Sequence, residues 1–126
     1  MRSLVHIFFL FASCTILVAC ATPEEAQTTS SPTFVDSVVV EERNGDYYAI
    51  VSGNHPDACS TTGDIEQEVS GHTITITIYT DRPTDAICAQ ILTPFEEEIL
   101  LDTGGLDPGS YDIDVNGTVA SFTIQS

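Results

Sequence analysis

The residues of this 126-residue chain best equipped for chemistry are its cysteines and histidines, set among 19 acidic side chains. Cys20 follows Val18 and Ala19, small side chains that suit a peptidase cutting beside them, and its sulfur is a nucleophile open to acylation. Cys59 and Cys88 are the remaining pair once Cys14 and Cys20 are set aside. In an exported domain such a pair predicts a disulfide, whose loop closure would contribute about 3 to 4 kcal/mol. Two free or metal-bound thiols are the competing reading, and no C-x-x-C or histidine cluster supports it.

Asp112-Ile113-Asp114-Val115-Asn116-Gly117 matches the opening of a calcium loop, so Asp112, Asp114 and Asn116 are a weak Ca²⁺ candidate. The twelfth position, which should supply a bidentate Glu, is Thr123. In an extended strand the two aspartates stand about 6.6 Å apart and do not wrap one ion. A hairpin with a solvated acidic face is the stronger expectation, and no cofactor or metal is assigned. Past residue 20, His55 falls in a turn beside Pro56, and His72 follows Gly71 at a surface turn. A small hydrolase could be assembled from His72, an aspartate and a serine, but no G-x-S-x-G or other nucleophile-bearing turn backs it. No catalytic residue is therefore expected. Tyr47 and Tyr48 point to opposite faces of a strand, and packing is a better account of either than a ligand platform.

Ahead of Cys20, Met1-Arg2-Ser3 carries one basic residue, and the mainly apolar run Leu4 to Val18 covers 15 residues. That is too short to cross a hydrocarbon layer, which needs about 20, and it reads as a signal-peptide h-region over residues 1–19. Leu17-Val18-Ala19-Cys20 resembles the lipobox of prokaryotic lipoproteins. The resemblance implies diacylglyceryl transfer to Cys20, cleavage before it, and often acylation of the new amino group, as with palmitate. The chain would then be anchored at the cell membrane or outer envelope surface, extracytoplasmic, without spanning it. An ordinary secretory signal that happens to contain a cysteine is the alternative.

Removal of residues 1–19 leaves two arginines against 19 acidic residues, a net charge of −17, and the chain has no lysine. That excludes nucleic acid as an expected partner, since phosphate binding needs clustered Lys or Arg. It also disfavours an anionic headgroup surface and suits a domain standing off on a tether. Residues 20–33 (CATPEEAQTTSSPT) have the composition of a disordered tether.

From Phe34 onward the pattern is all-β. Asn44-Gly45 and Asn116-Gly117 predict type I′ hairpins pairing Arg43 with Asp46, Glu42 with Tyr47, Tyr111 with Phe122 and Ile113 with Ala120. Gly53 to Thr62 reads as turn chemistry. A loop at Ser70-Gly71 would pair Ile65 with Ile76 and Gln67 with Ile74, with Glu66 opposite Thr75 on the polar face. Asp81 to Asp85 reads as a loop, residues 87–92 as a short strand carrying Cys88, and Phe95 to Leu101, after Pro94, as an acidic edge strand. About eight strands and no helix predict a two-sheet antiparallel β-sandwich over residues 34–126. Leu106-x-Pro108-Gly109-x-Tyr111 resembles the tyrosine-corner region of immunoglobulin-like and fibronectin-type domains, which implies that the Tyr111 hydroxyl bonds back to the chain at a sheet-to-sheet turn.

The expected function is a non-enzymatic, lipid-anchored binding or accessory envelope module for an unknown protein or glycan partner. One alternative is a proteinase-inhibitor-like domain presenting Asn54 to Thr62, stapled by Cys59. The small hydrolase is the other.

Overall fold

The computed structural model describes residues 27–126. Cys20, the 1–19 leader and the first part of the tether lie outside the described residues. Eight strands are present: β1 (Thr28–Pro32), β2 (Phe34–Arg43), β3 (Asp46–His55), β4 (Thr61–Ser70), β5 (Thr73–Pro83), β6 (Thr93–Leu100), β7 (Gly109–Val115) and β8 (Thr118–Ile124). They form a sandwich of two sheets: β2-β3-β6, and a second in which β5 is flanked by β4 on one side and by β1 and β7 on the other, with β8 beyond β7.

Local turn chemistry accounts for three hairpins. Asn44 and Gly45 have φ of 57° and 89°, and Asn116 and Gly117 have 48° and 90°. Positive values at both central residues are what a type I′ turn demands. The pairings Arg43 with Asp46, Glu42 with Tyr47, Tyr111 with Phe122 and Ile113 with Ala120 are all observed. The third loop is Gly71-His72, not Ser70-Gly71: Ser70 pairs with Thr73, and Ile65, Glu66 and Gln67 pair with Ile78, Thr77 and Ile76. Gly71 has φ +59° and His72 is not left-handed, so glycine takes the first central position of a type II′ turn. Moving the loop by one residue slides the register by two, which leaves every side chain on its expected face.

Alternation then fills the core. Ile74, Ile76 and Ile78 are fully buried from β5, and Ile113 and Val115 from β7. Across the sandwich they meet Tyr47, Ala49 and Val51 from β3 and Ile99 from β6. β-Branched side chains suit such rows because they lose little rotamer freedom on a pleated surface. Gln67 lies in the inward row of β4, where its Oε1 accepts from the Asp102 N–H (2.7 Å) and its Nε2 donates to the Leu100 carbonyl (3.2 Å). Tyr111 donates its hydroxyl to the Asp107 carbonyl at 2.8 Å where the chain crosses from β6 to β7, the bond expected of a tyrosine corner.

Five expectations are corrected. Residues 28–32, expected as the end of the tether, form β1 against β5, from Thr28 opposite Pro83 to Pro32 opposite Tyr79. A polar TTSSP stretch can pair this way because it needs only backbone hydrogen bonds and stays exposed. β5 extends through the expected 81–85 loop to Pro83, because β1 pairs with that end. The strand expected at 87–92 is irregular, since the Cys88 link to Cys59 and a backbone bond to Ala58 occupy it in place of a ladder. Pro94 does not interrupt but lies within β6, which is an edge strand as expected, where a missing N–H is tolerated. The sandwich is also not wholly antiparallel: Thr73 to Ile76 pair in parallel with Asp112 to Val115, because the chain leaves for the other sheet between these strands.

Gly53 permits a close approach between sheet neighbours. A Cβ there would overlap the Phe34 carbonyl and lie 2.7 Å from Phe95 Cε1. Gly53→Ala is expected to lower the thermal midpoint by at least several degrees in a circular-dichroism melt, by separating β2 from β3 beside the irregularity at Asp36. An unchanged midpoint would show that the β2 edge shifts freely.

Candidate functional site

One end of the sandwich is built from the β3–β4 turn, the end of β5 and the 84–92 loop. Asp57 organises it. Its side chain is 5% exposed. One oxygen, Oδ1, accepts from the Cys59 N–H (3.0 Å), the Ser60 N–H (3.0 Å) and the Ser60 hydroxyl (2.9 Å). The other, Oδ2, accepts from Arg82 Nε at 2.5 Å. An aspartate capping the two following amide groups is the ordinary chemistry of a tight turn. Arg82 also donates to the Ala86 carbonyl at 3.5 Å, which connects the turn to the loop.

The loop is braced at two further points. Cys59 and Cys88 form the expected disulfide, with Cα atoms 5.6 Å apart. The Ala58 N–H donates to the Ala89 carbonyl at 3.1 Å. Held this way, the loop turns its aliphatic side chains outward: Ile87 is fully exposed, Ile91 is 61% exposed and Leu92 70%. In the segment Asn54 to Thr62, His55, Asp57 and Ser60 are each at most 5% exposed, while Pro56, Ala58 and Thr61 face solvent. Composition reads 54–62 as turn and 87–92 as a short strand; only packing shows which side chains of each reach solvent.

His55 is not in a turn but ends β3 in the interior. Its ring stacks on Phe95 at 4.7 Å, its Nδ1 lies 3.1 Å from Thr80 Oγ1, and its Nε2 lies 3.4 Å from Thr62 Oγ1. Its inward place follows from strand parity with Tyr47, Ala49 and Val51. His72 is exposed, takes the Ser110 carbonyl at 3.0 Å, and packs on Tyr111 at 4.8 Å. The group beside it is thus a carbonyl, and no serine hydroxyl is shown against it.

The calcium-candidate residues are not brought together. Asp112 accepts from the Ser121 hydroxyl at 2.6 Å and Asp114 from the Gly117 N–H at 2.8 Å. Asn116 turns inward and bridges backbone: Nδ2 donates to the Thr33 and Ile78 carbonyls, each at 2.8 Å, and Oδ1 accepts from the Ile78 N–H at 3.0 Å. Among the described residues, Asp57, Cys59 and Cys88 offer ligand atoms within 4.8 Å of one another. Their atoms are already used by Arg82, the turn amides and the disulfide.

Acid should weaken this end in two stages. Burial pushes His55 below its ordinary value of about 6.5, so the unfolded chain takes that proton more readily than the folded one. Its contribution is complete above that value and is lost as pH falls beneath it. Asp57 is held below the usual carboxylate range, first by the Arg82 hydrogen bond and then by the Ser60 and Cys59 bonds, with burial opposing. Its contribution is complete above about pH 4 and is lost as pH falls through the depressed value. Protonating the many exposed carboxylates relieves repulsion in the opposite sense, so the readout is a difference. The gap in melting temperature between the native chain and His55→Gln should narrow as pH falls from 7 to 5. A constant gap would contradict a neutral, buried His55.

A family model described as "ORF11 beta-sandwich domain" matches residues 49–124. It runs from within β3 to the end of β8 and leaves β1 and β2 outside. Two relatives from Herpetosiphon aurantiacus, the "Uncharacterized 10.2 kDa protein" in HgiBIM 5'region and that in HgiEIM 5'region, are each 41% identical over 74 residues. These spans cover 59% of this chain and 89% of each relative. A third, in HgiCIIM 5'region, is 39% identical over 74 residues, covering 78% of its own length. No solved structure matches the chain significantly.

Proposed function

As the chain belongs to the ORF11 beta-sandwich domain family, we propose that it is a non-enzymatic, lipid-anchored accessory or binding module of the cell envelope, held outside the cytosol through Cys20. The observation that carries this reading is the Cys59–Cys88 disulfide. Such a bond persists in oxidising compartments, which the leader and lipobox-like sequence independently imply. The outward face of the β5 sheet adds support for a binding role. It presents Thr73, Thr75 and Thr77 between Glu66 and Glu68 on one side and Asp112 and Asp114 on the other. That surface favours a basic protein partner over nucleic acid, because attraction needs opposite charge.

The test is intact-mass analysis of material made in a native host, with membrane fractionation of the Cys20→Ala variant. Cleavage before Cys20, a diacylglyceryl addition on it and release of the variant from the membrane are expected. Residues 1–19 still attached, or an unmodified Cys20, would overturn the reading.

A further inference from the structure

We propose that the disulfide-braced 84–92 loop docks on the lipid surface and forms a second, non-covalent membrane contact; this rests on acylation of Cys20. The chain enters the folded domain at the base of that loop. The Gln27 carbonyl accepts from the Thr84 N–H at 3.0 Å and from the Thr84 hydroxyl at 2.9 Å, and Thr28 pairs with Pro83. Because β1 takes up residues 28–32, only residues 21–26 separate Cys20 from Gln27. Seven Cα intervals span at most about 25 Å even when fully extended. The loop end of the sandwich therefore faces the bilayer, and the Asn44-Gly45 and Gly71-His72 turns mark the far end.

The surface brought to the lipid is suited to it. Residues 86–92 (AICAQIL) carry no charge, and the loop's one charged residue, the exposed Asp85, lies at its base next to Thr84, while the chain as a whole is strongly acidic. At the base of the loop, Arg82 and Asp57 neutralise each other. Ile87, Ile91 and Leu92 project into solvent, and removing aliphatic area from water favours partition into the interface. The disulfide and the Ala58–Ala89 and Arg82–Ala86 bonds hold these side chains in place, so docking orders little that is not already ordered. Acidic surface elsewhere makes a zwitterionic bilayer the better host than an anionic one.

The chain has no tryptophan, so a single introduced one is an unambiguous reporter. The lipidated full chain carrying Ile91→Trp is reconstituted in phosphatidylcholine vesicles with brominated acyl chains and compared with Leu100→Trp, whose site is 55% exposed near the far end. Quenching at position 91 should exceed that at 100 by at least several-fold, and adding Ile87→Glu should remove most of the difference. Equal quenching at the two positions overturns the docking. A blue shift at 91 that depends on protein concentration without quenching also overturns it, in favour of a second copy of the chain. Intact mass on the same sample separates the two claims: a bare Cys20 removes the anchoring premise, while an acylated Cys20 with unquenched Trp reporter at 91 sinks the docking alone.

Discussion

Asn116→Ala should lower stability by about 3 kcal/mol, the largest effect expected from a single polar side chain in this domain. The outer edge of β5 is shared end to end: β7 pairs with Thr73 to Ile76, and β1 pairs with Tyr79 to Pro83. Between them the backbone of Ile78 would have no strand partner on that side. The Asn116 amide takes that place, accepting from the Ile78 N–H and donating to the Ile78 and Thr33 carbonyls. Truncation leaves the Ile78 N–H and the Thr33 carbonyl without these bonds, at about 1 kcal/mol each, while the Ile78 carbonyl keeps the Thr33 N–H at 2.9 Å; about 1 kcal/mol of left-handed strain on alanine makes up the rest. For a domain of this size that corresponds to a thermal midpoint roughly 15 °C lower. The strain arises because Asn116 has φ 48°. Asn116→Gly separates the two contributions, since glycine relieves the strain but restores no bond. A glycine variant as stable as the native chain would show that the bridge contributes nothing.

Replacing Cys59 and Cys88 together by serine should cost about 3.5 kcal/mol, between the values for loops of 15 and 100 residues. The two cysteines are 29 residues apart, and the segment they close contains β4 and β5, whose Ile74, Ile76 and Ile78 lie at the centre of the core. In the unfolded chain the bond removes conformations; in the folded chain it joins the Asp57 turn to the 84–92 loop. Chemical denaturation with and without reductant measures the first effect. Limited proteolysis measures the second: cleavage within 84–92 should become markedly faster in the variant, because only hydrogen bonds, chiefly Thr84–Gln27, Ala58–Ala89 and Arg82–Ala86, would then hold the loop. Equal midpoints for oxidised and reduced protein would show that the bridge carries little of the fold's stability.

Much of this architecture was legible because it is local. Two Asn-Gly turns demand positive φ, and alternating β-branched rows have a single buried parity, so register across 44–45 and 116–117 followed from adjacent residues. Ser70-Gly71 and Gly71-His72 both preserve that parity, so alternation alone does not separate the expected turn from the observed one. Only the type II′ preference for glycine in the first central position distinguishes them. The candidate site was less legible for the same reason. Asp57, Arg82 and Ala86 are far apart in the chain, and nothing in a local pattern says that the first takes its hydrogen bonds from the second. His55 looks like a turn residue beside Pro56 until strand parity carries it inward beneath Phe95.

The sequence by itself determined most of the strand rows, two of the three hairpin turns and the cysteine pairing, since each depends on side-chain type or on neighbours a few residues away. Tertiary structure alone decided that TTSSP joins a sheet, that Asn116 serves the backbone of another strand, and that Ile87, Ile91 and Leu92 of the 84–92 loop face outward. Those outcomes depend on which backbone edges are left open once the sheets have formed, and an open edge belongs to the assembled fold, not to any segment of it.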